Sequence, residues 1–254
     1  MNAMNHAITA IALKKKFDYV PLAGLLISVQ LMELLWIAFN WLGIESISVE
    51  SEVHTIADIH LTHMPYSHSI ASAVLLAGVA YIGFRRAGLA IGLGILSHLV
   101  LDLVTHVPDI AVVWFGWDLE LGTGIYGLPL VAFTVETVYG LAIWRWVRGG
   151  IGLLVAIVVF QLGTLSAHVT WISGFEAGLA GHPGMLATGV AIQIAVTLPL
   201  VWWLGRGASV PRGSAASPSG SRRAAPRQSA RTPVQSVPVP TSRESVQMAC
   251  RSRF

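Results

Sequence analysis

Gly94-Ile-Leu-Ser-His98-Leu-Val-Leu-Asp102-Leu-Val-Thr-His106-Val-Pro-Asp109 is the stretch on which the reading of this chain turns. It closes an apolar run, residues 87–105, that is long enough for a membrane-crossing helix, which needs about 20 mostly apolar residues. His98, Asp102 and His106 recur every fourth residue, so on a helix they stack along one face. Leu99, Val100, Leu101, Leu103 and Val104 fill the intervening positions. Ionisable groups at lipid depth are expensive and face a bundle interior or a wet cavity, so this stripe demands partners on neighbouring helices.

Outward from it, five more apolar runs qualify as spans: residues 21–42, 67–84, 124–146, 151–172 and 185–204. Composition agrees. Of 254 residues, 54% are hydrophobic and only 11% charged, against roughly 25% charged in ordinary globular domains, and the mean hydropathy is +0.66. The expected fold is an all-α membrane protein, a bundle of about six transmembrane helices over residues 21–204, with a cytoplasmic N-terminal segment at 1–20. Gly88 and Gly92, four apart, mark close helix packing. Residues 205–254 carry nine Arg and one acid, Glu244, amid Ser and Pro. Such a segment buries too little apolar surface to offset chain entropy and reads as a disordered C-terminal tail. The single cysteine, Cys250, permits no internal disulfide and gives no reading of redox compartment. Apolar residues 7–13 precede Lys14–Lys16, the reverse of a signal peptide's order.

Basic residues set an orientation. Lys14–Lys16, Arg85 and Arg86, Arg145 and Arg148, and Arg206 fall on one side of a six-span model, whereas Glu45, Glu50, Glu52, Asp58, Asp109, Asp118, Glu120 and Glu176 fall on the other. The positive-inside rule then places both termini in the cytoplasm. The lysines and the arginine tail are expected to meet anionic lipid headgroups; no folded or aromatic reader accompanies the tail, so no specific nucleic-acid partner is expected.

Partners for the stripe exist at similar depth. Span one contains Gln30 and Glu33, span two opens on Tyr66-Ser67-His68-Ser69, and span four contains Glu136 with Tyr139. At about 1.5 Å rise per residue, Glu33, His98 and Glu136 lie roughly 15–18 Å from the inner boundary, and His68, Asp102 and His106 lie further out. The set describes a polar funnel open to the outer face. Imidazole and carboxylate together ligate zinc and similar divalent metals. His68, His98, Asp102 and His106 are the candidate metal ligands, and Glu33 and Glu136 the candidate proton-transfer groups. The plain alternative is that His98 and Asp102 only glue helices together. His54, His60 and His63 read as solvated loop residues, and His168 as an interfacial polar group.

Pro65-Tyr66-Ser67-His68-Ser69 and the Ser97–Asp109 segment resemble the predicted membrane-bound metal-dependent hydrolases, small multi-span bacterial proteins with SH-S and SH-x-x-x-D segments. The likeness covers about residues 5–146. His6 and the Gln30/Glu33 position look like that family's layout, although its members often carry Asp in a Pro-Asp context where Glu33 stands here. The resemblance implies a bacterial inner-membrane protein with a metal site and hydrolytic activity, without naming a substrate. The ligand chemistry puts zinc first among divalent ions, and a site between membrane helices that opens outward suits a lipid or lipid-linked substrate such as a phosphoester. His6, Gln30, Tyr66, Ser67, Asp109 and Tyr139 would line such a site. Two rivals stand beside it. A metal-ion or proton transporter would need the polar path to continue inward, where spans two, three and five are almost wholly apolar. A non-enzymatic membrane subunit would use the polar cluster only for packing.

Overall fold

The computed structural model describes residues 1–115, 119–180, 182 and 184–206, with Leu61 described in its backbone only. Asp118 and the tail from 207 onward lie outside these residues. Seven α-helices occur among the described residues: α1 Ala3–Lys16, α2 Leu22–Trp41, α3 Ile70–Gly83, α4 Gly88–Thr105, α5 Pro129–Val147, α6 Ile151–Gly163 and α7 Gly184–Gly205. Two short antiparallel hairpins decorate the loops, β1 Ser46–Val49 with β2 Ile59–His63, and β3 Ile110–Ala111 with β4 Glu120–Leu121.

Six of the helices, α2 to α7, stand where six apolar spans are expected. Four are long and apolar enough to cross a membrane: Leu22–Trp41, Arg85–Thr105, Pro129–Val147 and Gly184–Gly205. The other two are shorter, 14 residues in α3 and 13 in α6, or about 20 Å at the α-helical rise. Each shortening has a local cause. Ser69 caps α3 by accepting from the Ser72 amide, which starts the helix three residues past the expected boundary. After Gly163, Thr164 turns its hydroxyl back onto the Gln161 carbonyl, and the chain continues as a 3-10 turn, Leu165–His168.

The unexpected element is α1. Residues 1–20 were expected as a cytoplasmic N-terminal segment, with a short re-entrant or interfacial helix over 5–13 as the alternative; the structure forms a helix there and packs it into the bundle. Asn2 caps the helix by accepting from the Asn5 amide at 3.0 Å. Ala3, Ala7, Ala10 and Ala12 favour helix, and Lys14–Lys16 sit at the negative end of its dipole. Met4, Ile8 and Ile11 enter a core with Leu25 and Val29 of α2, Leu153 and Ile157 of α6, and Val201 of α7. A second core joins Met32 and Trp36 of α2 to Ala73 and Ala77 of α3, Ile95 and Leu99 of α4, and Ile194 of α7. Helix α2 serves both and is the axis of the fold. Fourteen residues ending in three lysines are too few to read as a span, which is why the pattern concealed α1.

Small residues set the spacing around α4. A Cβ on Gly88 would overlap the Tyr81 carbonyl, and one on Gly92 would come within 3.1 Å of the Ala77 carbonyl. The Gly88/Gly92 pair thus lets α4 approach α3. Gly94, on another side of α4, lies against Ser28 of α2. Outward faces remain apolar: Val74, Leu75, Val79 and Ile82 on α3, Val155, Val159 and Leu162 on α6, and Ile192, Val196 and Trp203 on α7 are exposed. Apolar surface on this scale suits contact with lipid.

Candidate metal centre

Four side chains converge where α2, the entry to α3, and α4 meet. Glu33 comes from α2. His68 comes from the turn just before Ser69, whose cap fixes the start of α3. His98 and Asp102 come from α4, one turn apart. Each offers a ligand atom, and these atoms all lie within 4.8 Å of one another. His68 Nε2 is 3.3 Å from His98 Nε2. Glu33 Oε2 is 3.3 Å from His68 Nε2 and 3.4 Å from His98 Nε2, while Asp102 Oδ2 is 3.0 Å from His98 Nε2 and 3.7 Å from His68 Nε2. His68, His98 and Asp102 are buried; the Glu33 side chain, 21% exposed, is the corner open to the outside.

The hydrogen bonds fix which ring nitrogens carry protons. His98 Nδ1 lies 2.7 Å from the Val29 carbonyl, which can only accept, so Nδ1 donates. The Ser67 hydroxyl donates to Glu45 at 2.5 Å, which leaves its oxygen to accept from His68 Nδ1 at 2.9 Å. With both Nδ1 atoms protonated, the neutral rings point two Nε2 lone pairs at each other and at two carboxylate oxygens. Asp102 Oδ2 is buried and has no hydrogen-bond partner. Four acceptors facing one point are repulsive unless a cation, a metal ion or bound protons, joins them.

The spacing fits a metal. Bonds of 2.0–2.2 Å in a tetrahedron separate the ligand atoms by about 3.3–3.6 Å. The five separations given above run from 3.0 to 3.7 Å. Two imidazoles and carboxylates are also the donor set that suits zinc and its neighbours.

The remaining predicted site residues divide between the margin of this cluster and places apart from it. His6 stacks on His98, with ring centroids 4.0 Å apart, and its Nε2 lies 3.1 Å from Asp102 Oδ1. The Met1 nitrogen also reaches Asp102 Oδ1, at 2.8 Å. These contacts hold the carboxylate by one oxygen and present the other to the cluster. Gln30 donates to the Ala3 carbonyl at 2.9 Å, tying α2 to α1. His106 is turned away from the four ligand atoms onto Asp109, Nδ1 to Oδ1 at 3.2 Å. Glu136 is not among the four. It accepts from the Tyr126 hydroxyl at 2.9 Å and from Asn2 Nδ2 at 2.7 Å, and Asn2 Nδ2 also reaches Gln161 Oε1 at 2.9 Å. Tyr139 pairs with Thr9 at 2.6 Å. Tyr66 exposes its ring but gives its amide to Glu45 at 2.9 Å. His54 and His60 are exposed and paired with Glu52 and Glu50, as loop residues would be. His168 is buried against Phe133, with Nδ1 on the Thr164 carbonyl.

A pocket of about 140 Å³ opens onto the cluster. Glu33, His68, Asp102, His106, Asp109 and Tyr126 contribute polar lining, and Trp36, Ile56, Ile59, Val107, Leu186 and Val190 contribute apolar lining. Sequence reasoning missed Tyr126, Asn2, Gln161 and Glu45. The last reads as a solvated loop acid until the fold buries it, and Asn2 escapes notice because α1 does. Compared with known proteins, the chain matches no family model, no curated protein and no solved structure. The geometry by itself gives an all-α membrane-type bundle whose His/Asp/Glu cluster could hold a metal ion.

Proposed function

We propose that this chain is a membrane-embedded, metal-dependent hydrolase of the inner membrane, acting on a lipid or lipid-linked ester, a phosphoester foremost, through the outward-facing pocket. The observation that carries the reading is the set of four ligand atoms within 4.8 Å of one another beside a mostly apolar pocket. His68, His98 and Asp102 would hold a divalent ion, zinc first on ligand chemistry. Such an ion lowers the pKa of a bound water and supplies a nucleophile at neutral pH.

The chain's own groups do the rest. Glu33 sits at the exposed corner, within reach of any water beside the two imidazoles, and takes its proton. His106, held by Asp109 at the pocket wall, would give the leaving group its proton. Asp102 is oriented by His6, and His98 by the Val29 carbonyl, so their ligand atoms are fixed before substrate arrives. Trp36, Ile59, Leu186 and Val190 would hold an acyl or prenyl chain. The lysine end of α1 and the other basic loops are assigned to the cytoplasm, with the pocket, and Met1 lining it, toward the opposite face.

The test is a set of variants assayed in mixed micelles against p-nitrophenyl alkyl phosphodiesters and esters. His98→Ala and Asp102→Ala lose both metal and hydrolysis. Glu33→Gln keeps its metal and loses about 10²–10⁴ in turnover, the usual share of general-base catalysis. Wild-type hydrolysis that survives in both metal-ligand variants would end the assignment.

One observation favours a second reading, passage of protons or ions. Helix α1 carries a buried polar line: Asn5 donates to the Glu136 carbonyl at 3.1 Å, and Thr9 bonds Asn5 and Tyr139. The line runs from the Glu136 network toward the lysine end of α1. Flux into liposomes that is abolished in Glu136→Gln would favour this reading over hydrolysis.

A further inference from the structure

Glu45 lies just beyond α2, past the turn at Gly43, whose φ is +70°. Its side chain is buried, the residue being 2% exposed. A buried carboxylate is unfavourable unless it is hydrogen-bonded or paired with a cation. No ion pair to Glu45 occurs among the described residues. Instead three neutral donors satisfy it: the Tyr66 amide at 2.9 Å and the Ser67 amide at 2.8 Å on Oε1, and the Ser67 hydroxyl at 2.5 Å on Oε2. The last is in the range of a charge-assisted O–H···O⁻ bond. Ser67 in turn accepts from His68 Nδ1 at 2.9 Å.

We propose that Glu45 is a positioning residue for the metal centre, acting through the Ser67 hydroxyl on His68. The inference rests on the metal reading given above. Three consequences follow from the direction of the bonds. The negative charge makes Ser67 a donor toward Glu45, so the serine oxygen has only acceptance left for His68. His68 is thereby held in the tautomer that aims the Nε2 lone pair at the cluster. The charge also reaches the ring along the relay, as carboxylates behind metal-bound histidines do, and makes it a stronger ligand. The buried charge of Glu45 gains a compensating cation across the relay when metal binds. Its two backbone bonds fix the Pro65–Ser67 turn, so one side chain sets both the position and the protonation of the ligand.

The isosteric change Glu45→Gln separates these roles. The amide oxygen must stay on the two backbone donors, which places the NH₂ against Ser67. Ser67 then accepts from Gln and turns its own proton onto His68 Nδ1, so that the ring carries its proton on Nε2, inside the cluster. The turn survives and the tautomer reverses.

The experiment uses the full-length protein in detergent. Zn²⁺ affinity is read by competition with a chromophoric chelator, and Co²⁺ loading by its d–d spectrum. Glu45→Gln and Ser67→Ala each weaken Zn²⁺ binding by about 10–100-fold, the usual loss for a partner behind a ligand. The double variant is no weaker than the weaker single, because both break one chain of bonds. Ser67→Thr restores affinity to within a few-fold, and the Co²⁺ spectrum of Glu45→Gln shifts from wild type. Wild-type affinity in Glu45→Gln, or losses that add in the double variant, would overturn the inference while leaving the metal site standing. A wild-type protein that binds neither ion would overturn the metal reading and this inference with it.

Discussion

Replacing Gly94 by Ala probes how the backbone holds the site. Gly94 lies one helical turn before His98 on α4 and faces Ser28, five residues before Glu33 on α2. A Cβ added there would overlap Ser28 Oγ and stand 2.9 Å from Ser28 Cβ. The hydroxyl can rotate away, but the carbon cannot. Carbon atoms settle about 3.5–4.0 Å apart, so α2 and α4 must part locally by at least about 0.6 Å. Metal sites tolerate about 0.2 Å in their ligand distances. The hydrogen bond from His98 Nδ1 to the Val29 carbonyl, now 2.7 Å, joins the same two helices and opens with them, so the ligand it orients moves. The expected result is overpacking of about 1–3 kcal/mol, read by unfolding in detergent, and at least a tenfold loss in Zn²⁺ affinity, about 1.4 kcal/mol. Adding Ser28→Gly removes both clashing atoms and returns the affinity to within a few-fold, even though glycine in a helix lowers stability by about 1 kcal/mol. Unchanged affinity in Gly94→Ala, or no recovery in the double variant, would refute the claim that this contact sets the ligand spacing.

Two further outcomes are expected. His106→Asn retains Zn²⁺ within about threefold but lowers turnover by about 10²-fold or more, most of all for substrates with poor leaving groups, since its ring serves protons rather than metal; loss of metal in this variant would return His106 to the ligand set. Metal affinity falls as pH drops from about 7.5 to about 5.5, because protons compete with the ion for the ligand nitrogens and carboxylate oxygens; chelator competition across that range checks it, and an affinity that does not change with pH would contradict ligation by these side chains.

Much of this was legible in the sequence, for physical reasons. The i, i+4 spacing of His98 and Asp102 requires one helical face, and lipid-depth placement makes polar residues seek one another, so partners on neighbouring helices were expected; of the candidates at similar depth the structure brings His68 and Glu33 to them and places His106 and Glu136 apart. Glu33 was expected at similar depth to His98, and the structure brings it to 3.3–3.4 Å from both imidazoles. What escaped was whatever depends on tertiary burial. Residues 3–16 are too short and too basic at one end to signal a span, so the contacts of Asn2 and Asn5 could not be foreseen, and His6 came to notice through the family resemblance alone. Glu45 and Tyr126 look like ordinary polar residues until the fold removes water from them, and the pattern that marked Glu136 did not show Tyr126 as its partner. His106 shares the face of His98 and Asp102, but α4 ends at Thr105, and the extended backbone beyond it lets the ring swing to Asp109.

Elemental analysis of the full-length wild-type protein, purified without a polyhistidine tag and freed of loosely bound ions, tests the central claim most directly. About one equivalent of zinc, or of another divalent transition metal, per chain is the predicted result. Protein that is folded, emerges without such a metal and takes up none on exposure to Zn²⁺ would show that the four side chains serve packing alone.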